Sequence, residues 1–149
     1  MKTKKFAFIL IILAIATLVY YQNFAKTGAC KGFASCFSGK IDRVVDGDTL
    51  IVTNTTVRLA LVNAPEKFEE MGKEAENFTA NLCPTGSEAL VDEDDKQKSG
   101  SYGRVVAVVY CDGKNLNELL LENGFGEIYY SYCKTSEFAN EKWAKRYGC

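Results

Sequence analysis

Histidine is absent from this chain of 149 residues. Hydrolysis by paired histidines and zinc bound through histidine are therefore excluded. The sequence also lacks a Cys-x-x-Cys pair, so zinc bound through cysteines is poorly supported. No internal repeat is visible, which leaves one domain of ordinary size plus an appendage.

A surplus of basic residues is missing as well. The net charge is −1, and the first 27 residues carry four lysines and no acid. The remainder therefore holds 14 basic and 19 acidic residues, a net charge of −5. Proteins that bind nucleic acid by charge alone normally show a basic patch. If this domain meets nucleic acid, a local cluster of arginines and a cation must overcome the general repulsion.

The N-terminal segment differs in composition from the rest. Lys2, Lys4 and Lys5 precede Phe6–Tyr21, an apolar run of sixteen residues without charge. As a helix this run spans about 24 Å, slightly less than the ~30 Å hydrocarbon core of a bilayer. We predict a signal peptide or a membrane anchor over residues 1–27, and residues 28–38 as a linker. Cleaved and uncleaved forms stay open, and both place the domain outside the cytoplasm.

Six cysteines agree with export: Cys30, Cys36, Cys83, Cys111, Cys133 and Cys149. An even number in an exported chain predicts disulfides, with buried free thiols as the alternative. Six cysteines allow fifteen pairings, and the spacing alone does not choose among them.

The pattern of apolar residues predicts an α+β domain. Five strands are expected over Gly39–Val45, Thr49–Thr53, Val57–Val62, Glu88–Asp92 and Arg104–Cys111. Three helices are expected from about Lys73 to the Cys83-Pro84 stop, from Leu116 to just before Gly124, and over Glu137–Tyr147.

Oxygen-bearing side chains gather at the ends of the second and third predicted strands. They are Asp46, Asp48, Asn63 and Glu66. Arg58 lies at the start of the third strand, and Arg104 begins the fifth. Such a set suggests a hard cation held against a phosphate. The alternative is structural, because Asp-Gly-Asp is also a common turn sequence.

Three separated stretches together resemble the staphylococcal (thermonuclease) nuclease family. They are Val45-Asp-Gly-Asp-Thr49, then Arg58-Leu followed by Asn63-Ala-Pro-Glu66, and Tyr102-Gly-Arg104 followed by Asp112-Gly and Asn117-Glu118. They occur in the family's order and at similar spacing, over roughly residues 39–147. The resemblance implies a five-stranded Greek-key barrel of the oligonucleotide-binding (OB) type with three helices. The apolar run predicts a hydrophobic helix before this barrel. Residues 39–149 would then be a nuclease domain.

The resemblance also implies a metal site and a catalytic set. Asp48 would ligate one Ca²⁺ ion, with Asn63 in the place of a second Asp and with the backbone carbonyl of Ala64. Arg58 and Arg104 would donate to phosphate oxygens as negative charge builds up on them. Glu66 would position or deprotonate the attacking water.

Tyrosines complete the set that the resemblance implies. Tyr102, Tyr130 and Tyr132 match positions that flank a nucleotide pocket, where they would stack a base or bind phosphate. For Tyr102, packing is an equal alternative. The resemblance further suggests disulfides Cys83–Cys111 and Cys133–Cys149, which leaves Cys30 with Cys36.

Two departures from the family pattern bear on the site. Asn63 is neutral where the family has an anionic ligand, so we expect weaker binding of Ca²⁺. Gly100 and Ser101 stand where the family has an acid and a lysine, which predicts that one phosphate contact is missing.

The resulting hypothesis is a monomeric, calcium-dependent nuclease outside the cytoplasm that hydrolyses DNA and RNA with little sequence preference. An uncleaved N-terminal segment would add a membrane contact. Two alternatives stay open. One is a catalytically weak barrel module that binds nucleic acid or a protein partner, and the other is a disulfide-stapled structural domain.

Overall fold

The computed structural model describes residues 11–17, 30–98 and 101–149. The chain divides into two units, Met1–Cys30 and Lys31–Cys149. In the first unit residues 11–17 are helical, and the rest of the predicted segment 1–27 lies outside the described residues. Within the described ranges, no helix combines the length and apolarity needed to cross a membrane.

The second unit is an α+β domain built on a β-barrel. Its strands are β1 (Cys36–Val44), β2 (Thr49–Val52), β3 (Thr55–Leu59), β4 (Val62–Asn63), β5 (Glu88–Glu93), β6 (Val105–Cys111), β7 (Lys114–Asn115) and β8 (Glu127–Ile128). Its helices are α1 (Gly72–Leu82), α2 (Leu116–Glu122) and α3 (Lys142–Arg146).

Five strands close the barrel in the order β3-β2-β1-β5-β6. Neighbours along this order are antiparallel, and the parallel pairing of β3 with β6 closes the ring. The predicted α+β class and five-stranded OB-type barrel are therefore confirmed.

The second and third strands form a tight hairpin. Thr53 and Asn54 both have positive φ, 47° and 63°, and Val52 pairs with Thr55 across them. Two central residues with positive φ are typical of the type I′ turn, whose twist matches that of paired strands. This short turn sets the register that places Arg58 opposite Thr49.

The predicted third strand, Val57–Val62, is wrong in its second half. Leu61 has φ 62°, so the chain turns after Leu59 instead of remaining extended. Both Ala60 and Leu61 are buried in this turn, which is why their apolar character suggested a continuous strand. β4 follows and pairs with β8.

Two other boundaries differ from the prediction. β1 begins at Cys36 rather than Gly39, because its first residues pair with the far end of β5. The predicted last helix is broken at Glu141, whose ψ of 150° is extended. A 3₁₀ turn, Glu137–Asn140, comes before the break and α3 after it.

A single core fills the barrel and extends under the helices. Leu50, Val57 and Val91 are fully buried inside the barrel, as is Leu120 on α2. Phe138 and Trp143 reach this core from opposite sides of the break at Glu141.

The six cysteines form three disulfides. Cys83 bonds Cys111, with Cα atoms 5.5 Å apart, and Cys133 bonds Cys149, with Cα atoms 5.3 Å apart. Cys30 and Cys36 are also disulfide-bonded. The prediction of disulfides over free thiols is confirmed. A stapled domain of this kind is typical of an oxidising compartment outside the cytoplasm.

Candidate active site

A cleft of about 570 Å³ opens beside the turn between β1 and β2. Seven of the nine residues predicted for the site line it: Asp48, Arg58, Asn63, Glu66, Tyr102, Arg104 and Tyr132. Ala64 and Tyr130 are not among its lining residues. Side chains from stretches that are far apart in sequence thus share one cavity.

Asp48 is the most buried acid of the cleft, with a relative exposure of 6%. Its Oδ2 accepts the backbone N–H of Ala64 at 2.7 Å, and its Oδ1 accepts the hydroxyl of Thr49 at 3.1 Å. Burial raises the pKa of Asp48 to about 6; the Arg58 guanidinium and the Ala64 N–H oppose that shift, and nearby Asp46 adds to it. A further positive charge near such a buried carboxylate would stabilise its ionised form.

Several neighbouring groups hold Arg58 in place. On β3 it pairs with Thr49 of β2 and with Val106 of β6, so the barrel fixes its backbone. Its Nη1 lies 2.7 Å from Asp48 Oδ2 and donates to the carbonyl of Val62 at 2.7 Å. Its Nη2 donates to Asn63 Oδ1 at 3.1 Å. The guanidinium therefore reaches the cleft in a defined orientation before any substrate binds.

The β1–β2 turn is anchored to α1. Thr79 on that helix donates its hydroxyl to the carbonyl of Gly47 at 2.6 Å. A Cβ at Gly47 would lie 2.6 Å from the Ala64 methyl and 2.8 Å from that of Ala75. Glycine is required here because turn, loop and helix meet in close contact, and this contact sets the position of Asp48.

Glu66 lies on the exposed loop that leads into α1. Its backbone N–H donates to Glu69 Oε2 at 2.9 Å, and its carbonyl accepts the N–H of Glu69 at 2.8 Å. Gly72, the first residue of α1, packs so tightly under the loop that a Cβ there would lie 1.9 Å from the Glu66 carbonyl oxygen. The loop is thus a compact turn that holds the Glu66 carboxylate at the cleft.

Arg104 precedes β6 and lines the cleft, as does Tyr102 two residues earlier. Tyr102 has φ 58° and is 98% exposed. Such exposure excludes the packing interpretation of Tyr102 and leaves its ring accessible from solvent.

The tyrosines after β8 are divided between the cleft and the C-terminus. Tyr129 and Tyr132 line the cleft, and their rings meet edge to face with centroids 4.8 Å apart. Tyr130 instead lies beside Gly148, where a Cβ would come within 2.9 Å of its ring. The sequence motifs did not assign Tyr129 to the site, although residues three apart in a 3₁₀ turn, such as Tyr129 and Tyr132, lie on the same side.

Sequence reasoning also missed Lys96 and Gln97, which line the cleft from the loop after β5. They fall in the polar, charged stretch of residues 92–100, and nothing in its spacing marks them. Asp46, which was noted among the oxygen donors, lines the cleft too and accepts the N–H of Asp48 at 3.1 Å.

A sequence model of the staphylococcal nuclease homologue family matches residues 56–146. This chain belongs to that family. The match takes in the strand of Arg58, the loop of Glu66 and the approach to Arg104, and the β1–β2 turn that carries Asp48 lies before it.

Several named relatives are similar to this chain over much of its length. The chain is 32% identical to endonuclease YncB of Bacillus subtilis over 134 residues, 82% of this chain and 63% of the relative. It is 32% identical to the SPbeta prophage-derived endonuclease YokF of the same species over 111 residues, 68% of this chain and 37% of the relative. An uncharacterized endonuclease of Escherichia coli is 33% identical over 99 residues, 63% of this chain and 62% of the relative. The chain thus spans between 37% and 63% of the length of these relatives.

The donor atoms around Asp48 fit the hard cation that staphylococcal nuclease homologues typically use, Ca²⁺. Every candidate donor is an oxygen, from Asp46, Asp48, Asn63 and the Glu66 carboxylate, which matches Ca²⁺ and excludes metals that need sulfur or imidazole. Within the described residues, no three acids or cysteines converge closely enough to hold a metal by themselves. A bound ion would therefore depend on the neutral oxygen of Asn63, on backbone oxygens and on water.

Proposed function

We propose that this chain is an endonuclease that hydrolyses the phosphodiester bonds of DNA and RNA. The observation that carries the proposal is the meeting of Asp48, Arg58, Glu66 and Arg104 in one cleft. The similarity to YncB and YokF, which are named endonucleases, supports it.

Two guanidinium groups face the cavity that would receive the phosphate. Arg58 and Arg104 donate hydrogen bonds to its non-bridging oxygens, and these bonds strengthen as the pentacoordinate transition state gains negative charge. Arginine suits the task because it stays ionised and binds two oxygens with a planar fork. Asp48 and Asn63 already hold the Arg58 side chain, so it loses little conformational freedom when the phosphate binds.

Glu66 acts as the general base. Its carboxylate is exposed at the cleft, so it accepts a proton from a water molecule in line with the scissile bond. The water oxygen attacks phosphorus, the bond from phosphorus to the leaving oxygen breaks, and the leaving oxygen takes up a proton. No histidine is needed for any of these transfers.

Ca²⁺ is the proposed cofactor, with Asp48, Asn63 and the carbonyl of Ala64 as its protein ligands. When bound, it supplies positive charge next to the phosphate. Asp48 is suited to this role because its carboxylate lies in the cleft with Asn63, and Arg58 contacts both side chains.

Substrate recognition rests on phosphate and on base faces. Tyr102 and Tyr132 present rings at the cleft, and aromatic rings stack on any base. Contacts of this kind hold a single strand without reading its sequence. We therefore propose cleavage with little sequence preference. We also propose that the chain acts as a monomer.

The compartment follows from the disulfides and the N-terminal segment. Three disulfides indicate an oxidising environment. We propose that residues 1–27 direct export, either as a cleaved signal peptide or as a retained membrane anchor.

The test is digestion of single-stranded DNA and RNA by the full chain, with Ca²⁺ or with a calcium chelator. Glu66→Gln is expected to lower kcat by a factor on the order of 10²–10⁴, as expected for loss of a general base. Glu70→Gln is the matched control, because Glu70 is equally exposed on the same loop but does not line the cleft. A folded wild-type chain that leaves both substrates intact with Ca²⁺ would refute the proposal.

A further inference from the structure

We propose that Lys96 is a third phosphate-binding cation of this cleft, and that it contacts a phosphate flanking the scissile one. The inference rests on the proposed function. It concerns a gap noted in the sequence, where Gly100 and Ser101 replace the charged pair that the family pattern has before Tyr102. Lys96 lies further upstream in the sequence and supplies the charge from the turn that follows β5.

Lys96 shares the cleft with the proposed catalytic set. It lines the same cavity as Arg58 and Arg104, and its side chain is exposed. A long side chain at the rim of a cavity can reach a ligand while its ammonium keeps its hydration.

A buried acid fixes the turn on which Lys96 lies. Asp94 has no exposed surface, and its Oδ1 accepts the backbone N–H of Lys96 at 3.0 Å while its Oδ2 accepts Gln97 Nε2 at 2.8 Å. The backbone N–H of Asp94 donates to the carbonyl of Val106 at 2.9 Å. Because Val106 is two residues from Arg104, the two cations are tied to the same strand end.

The second anchor of Asp94 lies outside the loop. Its Oδ1 also accepts the backbone N–H of Glu137, at 3.2 Å. The turn is therefore bonded both to β6 and to the 3₁₀ turn of Glu137. A turn with two such anchors has a defined backbone position, so Lys96 extends toward the cleft from a fixed point.

Glu137 is the acid that competes for the Lys96 charge. Burial raises the pKa of Glu137, and Lys96 opposes that shift. The Glu137 Oε1 atom already accepts the backbone N–H of Asp95 at 2.8 Å. Within the described part of the chain Lys96 enters none of the ion pairs, so its ammonium is available to a phosphate.

The chemistry of lysine suits a flanking phosphate better than the reacting one. Its ammonium is a flexible point charge without the planar fork of arginine. It adds attraction without fixing the geometry of the reacting atoms, so its loss changes binding more than turnover. In a domain of net charge −5 after residue 27, one further cation at the cleft has a measurable effect on a polyanion.

The experiment compares Lys96→Gln with Lys98→Gln in the full chain. Lys98 is exposed two residues further on and does not line the cleft, so it controls for the general loss of charge. Cleavage of a short single-stranded DNA is measured over a range of salt concentrations. Binding of the same DNA is measured by fluorescence anisotropy in the Glu66→Gln background.

Lys96→Gln is expected to raise KM and Kd by roughly three- to tenfold at low salt, with kcat changed less than about twofold. The slope of log binding constant against log salt should fall by about 0.7, the value for one phosphate contact on a single strand. Lys98→Gln should match the wild type, and Lys96→Arg should restore binding.

Equal slopes and KM values for Lys96→Gln and Lys98→Gln would overturn the inference. A chain that binds with the expected difference in slope but does not cleave would support the role of Lys96 and refute the proposed hydrolysis. A wild-type chain that neither binds nor cleaves would overturn both.

Discussion

At the scale of single residues, the contacts of Asn63 bear on its proposed role as a neutral metal ligand. Its Oδ1 accepts a hydrogen bond from Arg58 Nη2, while Arg58 Nη1 pairs with Asp48. Arg58 thus joins the two proposed metal ligands through one guanidinium. The amide has no charge to balance this arginine, which leaves Asp48 as the sole anion in the trio.

We predict that Asn63→Asp tightens Ca²⁺ binding by on the order of tenfold, because affinity for Ca²⁺ rises with the charge of the ligand set. The new carboxylate also keeps an acceptor for Arg58, so the local hydrogen bond survives. Isothermal titration calorimetry of the full chain with Ca²⁺ measures the change in Kd. Asn81→Asp adds the same charge at an exposed position of α1, and an equal gain there would show that net charge alone is responsible.

At the scale of secondary-structure elements, the start of α1 sets the position of Glu66. The loop carbonyl of Glu66 occupies the space that a side chain at Gly72 would need. The obstructing atoms are backbone, of Glu66 and Lys67, so a rotamer change cannot relieve the contact. Glycine at the first position of this helix is therefore explained by the loop that it supports.

Gly72→Ala is predicted to lower kcat at least tenfold while KM changes little, because a displacement near 1 Å of a catalytic group can cost about 10²-fold. Alanine otherwise favours helix over glycine by up to about 1 kcal/mol, so α1 itself should persist. Steady-state kinetics together with circular dichroism separate the two effects. Asn77→Ala, at an exposed position of the same helix, should leave kcat unchanged, and full activity of Gly72→Ala would contradict the positioning role.

The elements also show what sequence can and cannot predict here. The order of strands and helices follows from apolar runs and turn residues, and the family resemblance supplied the barrel topology. The turn at Ala60-Leu61 escaped prediction because buried apolar residues form it, and Leu61 adopts a positive φ that is unusual for leucine. The break at Glu141 escaped because Phe138 and Trp143 suit an amphipathic helix equally well.

The residues that line the cleft also divide into those that sequence motifs predict and those that they do not. Asp48, Arg58 and Arg104 lie at strand ends, where a motif and its spacing predict them. The segments of Lys96 and Tyr129 are held at the cleft by backbone bonds between residues far apart in the sequence: Asp94 N–H donates to the Val106 carbonyl at 2.9 Å, and Tyr129 N–H donates to the Leu61 carbonyl at 2.8 Å. No local sequence pattern predicts such contacts, because they join residues that are far apart in the chain.

At the scale of the whole molecule, stability depends on acids buried away from the cleft. Asp92 on β5 has no exposed surface, and only its Oδ2 finds a donor, the backbone N–H of Lys31 at 2.9 Å. Its Oδ1 has no hydrogen-bond partner within the described structure. Burial raises the pKa of Asp92 to about 6, with the Lys31 N–H opposing the shift and Glu137 adding to it.

This shift makes folding stability dependent on pH. Because the folded-state pKa exceeds the usual value of 3.8, the folded chain binds more protons than the unfolded chain between about pH 4 and pH 6. The free energy of unfolding therefore falls as pH rises through that window and levels off above it. The difference between a pKa of 3.8 and one of about 6 corresponds to about 3 kcal/mol in the free energy of unfolding.

Asp92→Asn is predicted to remove this part of the pH dependence, because an amide does not ionise. Urea unfolding of the full chain at pH 4, 5, 6 and 7 gives the free energy of unfolding at each pH. The wild type should lose about 2–3 kcal/mol more than the variant across this range. Asp112→Asn, in the exposed turn between β6 and β7, controls for the loss of one carboxylate and should keep the wild-type profile. Parallel curves for wild type and Asp92→Asn would mean that Asp92 ionises in the folded domain as readily as in the unfolded chain.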